Sequence, residues 1–438
     1  MDKTIYTSTR GSTQALSFDE AIFQGLAPDG GLYMPSPIPS FDKDLASDIV
    51  KLDSYPEVAE RLIQRLLAGS VIEKELSSVL HDAFNFEIPL ITLDEDQGLY
   101  VLELFHGPTL AFKDVGARFM ARTFSSVVGK RSERIIILAA TSGDTGSAVA
   151  NGFLGVPNID VCILYPKGKV SLLQEKQITT NGQNVHALEV DGSFDDCQAL
   201  VKHALNSYKT ASDVHLTTAN SINISRLIPQ STYYAWAYAQ AQQSVKYIVP
   251  SGNFGNITSG IFAHKMGLPV DSFTASVNSN DIVPNYLSTG LYEPKASIST
   301  ISNAMDVGAP SNFERLKTIY HASHIEMGSN LQSVSISDTL TKTALKSVYE
   351  KYGYVMCPHT ATAYAALKER NIKSDRANPT VVLATAHPAK FGDTVEEVIG
   401  KEIELPQVLK DCMVKEKLST EIAANYEAFS EQLAKIIG

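Results

Sequence analysis

From about residue 90 onward, short β-branched runs alternate with stretches of helical periodicity. Few architectures accept that pattern other than parallel sheets covered by helices. The runs fall at 99–105, 134–140, 159–165, 185–190, 245–250, 270–275 and 380–385, with helical stretches between most of them, such as 194–208 and 231–242. The first eighty-odd residues differ. They carry helical patterns at 18–26 and 55–80 around a turn-rich stretch, 27–37, and predict a small, mainly helical N-terminal domain ending near Pro89. Residues 286–330 are irregular and polar and read as a flap or an insertion. The fold expected is α/β, and 438 residues are too many for one compact core.

A formal charge of -11 argues against nucleic acid as a partner, because backbone phosphates would be repelled. Cys162, Cys197, Cys357 and Cys412 lie far apart, with no metal-ligand spacing, so neither a disulfide framework nor a metal site is expected. The N-terminus shows no apolar core of a signal peptide, and no apolar run approaches membrane-spanning length. A cytoplasmic protein with no membrane partner and room for an enzyme is expected.

Three loops follow predicted strands and open helices, where α/β sheets bind ligands. The first, HGPTLAFKD at 106–114, holds Lys113 beside Phe112, with Asp114 as the expected N-cap of the next helix. Apolar surroundings disfavour the ammonium, and the free amine is the form that makes a Schiff base with a carbonyl. The second, ATSGDTGSA at 140–148, offers glycines and free N–H groups to an anion. The third, PSGNFGNITSG at 250–260, reads as a phosphate cradle at a helix start; it lacks the Lys-Ser/Thr of a nucleotide P-loop.

Together HGPTLAFKD, SGDTG at 142–146, PSGNFGN at 250–256 and TAHPAKF at 385–391 resemble the threonine synthase family. YTSTRG at 6–11, PDGGLY at 28–33 and NSINISRLIPQ at 220–230 extend the likeness along nearly the whole chain, in the longer form of bacteria and fungi. The resemblance implies a fold-type-II pyridoxal phosphate enzyme, similar to the tryptophan synthase β-subunit, with two helix-covered, mainly parallel sheets. It divides the chain into an N-terminal domain, 1–90, and a catalytic region, 91–438, with a smaller lobe at about 115–215 and a larger lobe formed by the remainder. Lys113 would hold the cofactor and shuttle protons. Gly252, Asn253, Phe254, Gly255 and Asn256 would bind the cofactor phosphate, and Thr385 the pyridine nitrogen.

The substrate implied is O-phospho-L-homoserine, converted with water to L-threonine and phosphate. The 141–145 loop is assigned to the substrate through its N–H groups and Thr141, Ser142 and Thr145. Related enzymes carry Asn where this loop has Asp144, and a carboxylate beside a phenolate would repel it. Asp144 is therefore counted as substrate-binding with its role open. Asn223 and Arg226 are the candidates for the substrate phosphate, with Lys176 behind them. His106 and His387 either meet substrate or fix a turn. The long form suggests a monomer. A threonine or serine dehydratase of the same fold is the alternative enzyme; a non-catalytic relative would be expected to lack Lys113 or the phosphate loop.

Overall fold

The computed structural model describes residues 3–12, 14–41, 44–129, 133–207 and 214–438. A short antiparallel pair, β1 (Tyr6–Ser8) and β2 (Tyr33–Pro35), opens the chain. Two larger sheets follow. One contains β3 (Leu90–Asp94), β4 (Leu99–Glu103), β9 (Lys246–Pro250), β10 (Ser272–Val277), β11 (Leu331–Ser335) and β12 (Thr380–Ala384). Its order is β11-β10-β9-β12-β4-β3, parallel except for β3 against β4. The other contains β5 (Arg134–Ala140), β6 (Ile159–Pro166), β7 (Val185–Asp191), β8 (Val214–Thr218) and β13 (Thr420–Ala423), in the order β13-β7-β6-β5-β8, all parallel. Interior strand β5 reads RIIILAA and is buried from its second residue to its last, as a strand covered on both faces must be.

The expected strands are present with small changes of boundary, and the predicted 270–275 run lies two residues later, at Ser272–Val277. The helices near 194–208 and 231–242 are Phe194–Ser207 and Thr232–Ala241; residue 208 lies outside the described residues. Six strands, β1, β2, β3, β8, β11 and β13, were not expected; the last four lie at the edges of the two larger sheets, and β3, β11 and β13 are half-exposed and carry weak patterns. β13 corrects the expected lobe boundary. It pairs with β7, so the C-terminal segment returns to the smaller sheet instead of belonging with the larger lobe. In the 286–330 stretch residues 286–289 end the helix Ile282–Thr289 and 290–302 are irregular, but Ser302, Met305 and Asn312 are buried. Residues 293–299 are exposed, whereas Ala304 and Met305 line the cavity beside Lys113.

N-terminal helices Phe18–Gln24, Leu45–Ile49, Tyr55–Ile63 and Leu76–Ala83 share one apolar core with the large sheet. The Tyr55 hydroxyl bonds Thr232 Oγ1 at 2.7 Å in that interior. Arg315 joins the parts most tightly. Fully buried, its guanidinium donates to the carbonyls of Tyr33 (2.9 Å), Ser221 (3.2 Å) and Ile222 (2.6 Å) and to Asn312 Oδ1 (2.6 Å).

Candidate active site

In the large sheet β9, β12 and β4 are neighbours, so the loops after their C-terminal ends meet at one edge. The loop after β4 is laced to the one after β12. Leu104 donates to Ala384 O, Phe112 to Thr385 O (2.8 Å), and His387 to Leu110 O. Leu110 turns the chain at φ 58°, and Lys113 begins the helix Lys113–Val128. Asp114 is not the N-cap. Buried completely, it folds back and accepts from Thr109 N (2.9 Å) and Thr109 Oγ1 (2.7 Å), bracing the 107–109 turn. The Lys113 ammonium lies 4.5 Å from the Phe112 ring centroid. Burial, and secondarily the Arg226 guanidinium, bring its pKa down to about 8, against an opposing pull from Asp144.

Two cavities adjoin at this lysine. One is walled by Lys113, Gly252 to Asn256, Thr385, Asp144, His359 and Met305. The other is walled by Lys113, Ser142, Thr145, Asn220 and Val307, with Arg10, Lys202 and Glu314 also on its lining. The first fits pyridoxal phosphate. Asn256 Oδ1 accepts from the hydroxyls of Tyr233 and Tyr234, which leaves Asn256 Nδ2 a buried donor with no protein partner. A buried donor without an acceptor is costly, and a phosphate oxygen would satisfy it. Gly255, Asn256 and Ile257 open the helix Gly255–Lys265, where first-turn N–H groups have no carbonyl within the helix. Gly252 packs so closely that a Cβ would sit 2.6 Å from Met305 Cα. Thr385 Oγ1, on the same wall, makes no hydrogen bond to a described residue and can meet a ring nitrogen.

The side chain of Asn253 is partly engaged: it donates to Ser221 Oγ (2.9 Å) and accepts from Ser311 N (2.6 Å). Thr141 lines the second cavity, with its Oγ1 engaged in holding the loop's shape by accepting from Gly143 N (3.0 Å) and Gly146 N (2.8 Å). Gly143 has φ 138°, and a side chain there would collide with Gln174. Ser142 and Thr145 also reach the second cavity. Asp144 lines the first cavity instead, with Oδ1 2.7 Å from Lys390 Nζ and 3.0 Å from Gln174 Nε2.

Neither proposed binder of the substrate phosphate is on the lining of these two cavities. Asn223 is the N-cap of Ile224–Leu227, accepting from Ser225 N, and its amide donates to Ile22 O and Thr218 O. Arg226 is buried beneath Gly116 and donates to Ala219 O at 2.7 Å. Lys176 bonds Lys415 O. Both histidines fix turns. His106 pairs with Glu103 at 2.7 Å, and His387 Nδ1 accepts from Ala389 N. Four site residues were not singled out beforehand: Lys390, His359, Arg10 and Lys202. Lys390 and Arg10 stood inside motifs already noted, TAHPAKF and YTSTRG. His359 is buried, its Nε2 accepting from Ala304 N at 3.1 Å, and burial brings its pKa down to about 4. Lys202, one lysine on an otherwise ordinary helix, gave no local signal.

A buried lysine of lowered pKa, unpaired donors at a helix start and a hydroxyl beside them, at the C-terminal edge of a parallel sheet, fit the site of an α/β pyridoxal phosphate enzyme. The family described as "Pyridoxal-phosphate dependent enzyme" matches residues 85–386, flanked by "Threonine synthase N terminus" over 5–84 and "Threonine synthase, C-terminal" over 360–433. The chain belongs to the threonine synthase family. It is 43% identical to the threonine synthase of Haemophilus influenzae over 90% of this chain and 91% of that one. The crystal structure of the Escherichia coli threonine synthase matches with a TM-score of 0.91 at 38% identity, covering 98% of this chain and 99% of that one. That of the pyridoxal-phosphate-bound enzyme from Brucella melitensis matches at 0.90 and 37%, covering 99% of each.

Proposed function

We propose that this chain converts O-phospho-L-homoserine and water to L-threonine and phosphate, with pyridoxal phosphate held in the cavity behind Lys113. The observation that carries the reading is the placing of Lys113 on the walls of both cavities. Gly252, Gly255 and Asn256, with the backbone of Asn253 and Phe254, would hold the cofactor phosphate, and Thr385 its ring nitrogen. A hydroxyl there does not enforce ring protonation as a carboxylate would. When bound, the cofactor supplies an electron sink for the charge left at Cα after deprotonation.

The chain's own residues supply the rest. The overall change removes protons from Cα and Cβ, expels phosphate from Cγ, adds water at Cβ and returns protons to Cα and Cγ. Lys113 is the base for these transfers, because its amine is tethered at the junction and its pKa lies near the working range. Ser142, Thr145 and the N–H groups of their loop bind the substrate carboxylate. Arg10 and Lys202 bring positive charge to the far lining of the substrate cavity and are the groups for the departing phosphate. Arg10 is held at 3.0 Å by Glu314, so phosphate would compete for it.

The substrate is a small molecule, and no helix among the described residues is long and apolar enough to cross a membrane. The proposal includes a cytoplasmic monomer with no nucleic-acid partner, and sedimentation equilibrium tests the monomer. Incubation of the cofactor-loaded protein with O-phospho-L-homoserine is expected to give threonine and phosphate in equal amounts. Ammonia and a keto acid from threonine, without phosphate chemistry, would instead support the dehydratase.

A further inference from the structure

The carboxylate of Asp144 sits in the wall of the cavity that Lys113 enters, where an ionised acid would be expected to draw the lysine into a simple ion pair. That outcome would defeat the need for a free amine. A cation from the other sheet occupies the carboxylate instead. Asp144 begins the helix after β5, whereas Lys390 lies in the Pro388–Phe391 turn after β12. Lys390 Nζ is completely buried, 2.7 Å from Asp144 Oδ1 and 2.9 Å from Thr109 O. Gln174 Nε2 adds a bond to the same carboxylate oxygen at 3.0 Å, and Gln177 Nε2 one to Thr109 O at 3.1 Å.

We propose that Lys390 is a positioning residue: by pairing with the charge of Asp144 across the two sheets, it weakens the pull of that charge on Lys113 and leaves the lysine amine poised to take up a carbonyl. The proposal rests on Lys113 being the amine that captures pyridoxal phosphate. The surrounding charges agree with it. Burial drives the Asp144 carboxyl up, but Lys390 and Gln174 outweigh it and hold it below the usual carboxylate range. His359, the imidazole beside the pair, is held neutral by burial and contributes no charge near pH 7. Asp114 faces Lys390 but is tied to Thr109, and the remaining cation facing Lys113 is Arg226, which opposes the ammonium. With Lys390 engaged on Asp144, burial and Arg226 outweigh the pull that Asp144 still exerts on the amine. The same pair answers the objection that a carboxylate stands where relatives carry an amide, because a compensated pair brings no net charge.

The test uses full-length apoprotein and follows, by absorbance, the pH midpoint of pyridoxal 5'-phosphate capture, with Lys113→Ala as the blank. In Lys390→Met the unpaired carboxylate favours the Lys113 ammonium, and the midpoint is expected to rise by about one pH unit. In Asp144→Asn the unpaired Lys390 ammonium opposes it, and the midpoint is expected to fall by a similar amount. The double variant Asp144→Asn/Lys390→Met is expected to return close to the parent value. Should Lys390→Met fail to fold, the fall in Asp144→Asn and its reversal in the double variant carry the test. A pair that merely tied the lobes together would lower the urea midpoint in the single variants and leave the capture midpoint where it was, which would overturn the proposal. Failure of the parent protein to capture the cofactor at Lys113 at all would instead contradict the proposed function.

Discussion

Lys113 works because its surroundings are unfavourable to its charge, and that has a measurable consequence for stability. Its folded-state pKa of about 8 lies below that of an unfolded lysine, so the unfolded chain binds the additional proton between those values. Stability therefore rises as pH increases through that window, and below pH 8 the full cost is present. Lys113→Met is expected to stabilise the apoprotein at pH 7 by about 1–3 kcal/mol, with the gain vanishing above about pH 10. Urea unfolding at both pH values checks this. Arg10 and Lys202 should behave differently, because the proposed function sets them on the leaving phosphate. Replacing either by Gln is expected to raise KM and to lower kcat, together about a hundredfold in kcat/KM, measured by steady-state phosphate release. At this scale Lys113 was legible because an unusual residue stood in a loop with a distinctive local pattern. Asn223 and Arg226 misled. Asn followed by a short helical turn is equally the pattern of an N-cap, and that is what Asn223 is.

The elements that matter are loops after adjacent parallel strands: those following β4, β9 and β12 on one sheet, and β5 and β8 on the other. Their motifs could be read because a tight turn and a helix start depend on residues close in sequence. The strand order that brings them together could not be read, since it depends on pairings between β4 and β12, nearly three hundred residues apart. For the same reason the Asp144–Lys390 pair was invisible. The phosphate loop tolerates little change. Gly252→Ala would press a Cβ against the Met305 backbone, and that wall of the cavity would have to move. The dissociation constant of pyridoxal phosphate from the apoprotein is expected to rise about tenfold or more, roughly 1.4 kcal/mol, in a fluorescence titration. Unchanged affinity would show that the loop does not bind the cofactor.

At the scale of the whole molecule, the N-terminal part is a wall of the cavity proposed for the substrate as well as a cap. β1 leads into Arg10, and Gly30 and Leu32 line the same space. Arg315 ties this part to the loop after β8 through backbone carbonyls, a long-range connection with no sequence signature. Arg315→Met would leave several buried carbonyls without donors, at about 1–3 kcal/mol each. A loss of about 3 kcal/mol or more in urea unfolding is expected, together with a raised KM. A loss below about 1 kcal/mol would mean that the junction does not depend on this residue. Two cavities meeting at Lys113, one for the cofactor and one for a phosphorylated substrate, form the central claim. A crystal structure of the protein with pyridoxal phosphate and a non-reacting phosphonate analogue of the substrate tests it most directly. The cofactor is expected to be joined to Lys113 with its phosphate on the 252–256 loop, and the phosphonate to lie at Arg10 and Lys202. A cofactor phosphate bound away from that loop, or a phosphonate outside the Arg10–Lys202 cavity, would contradict the account.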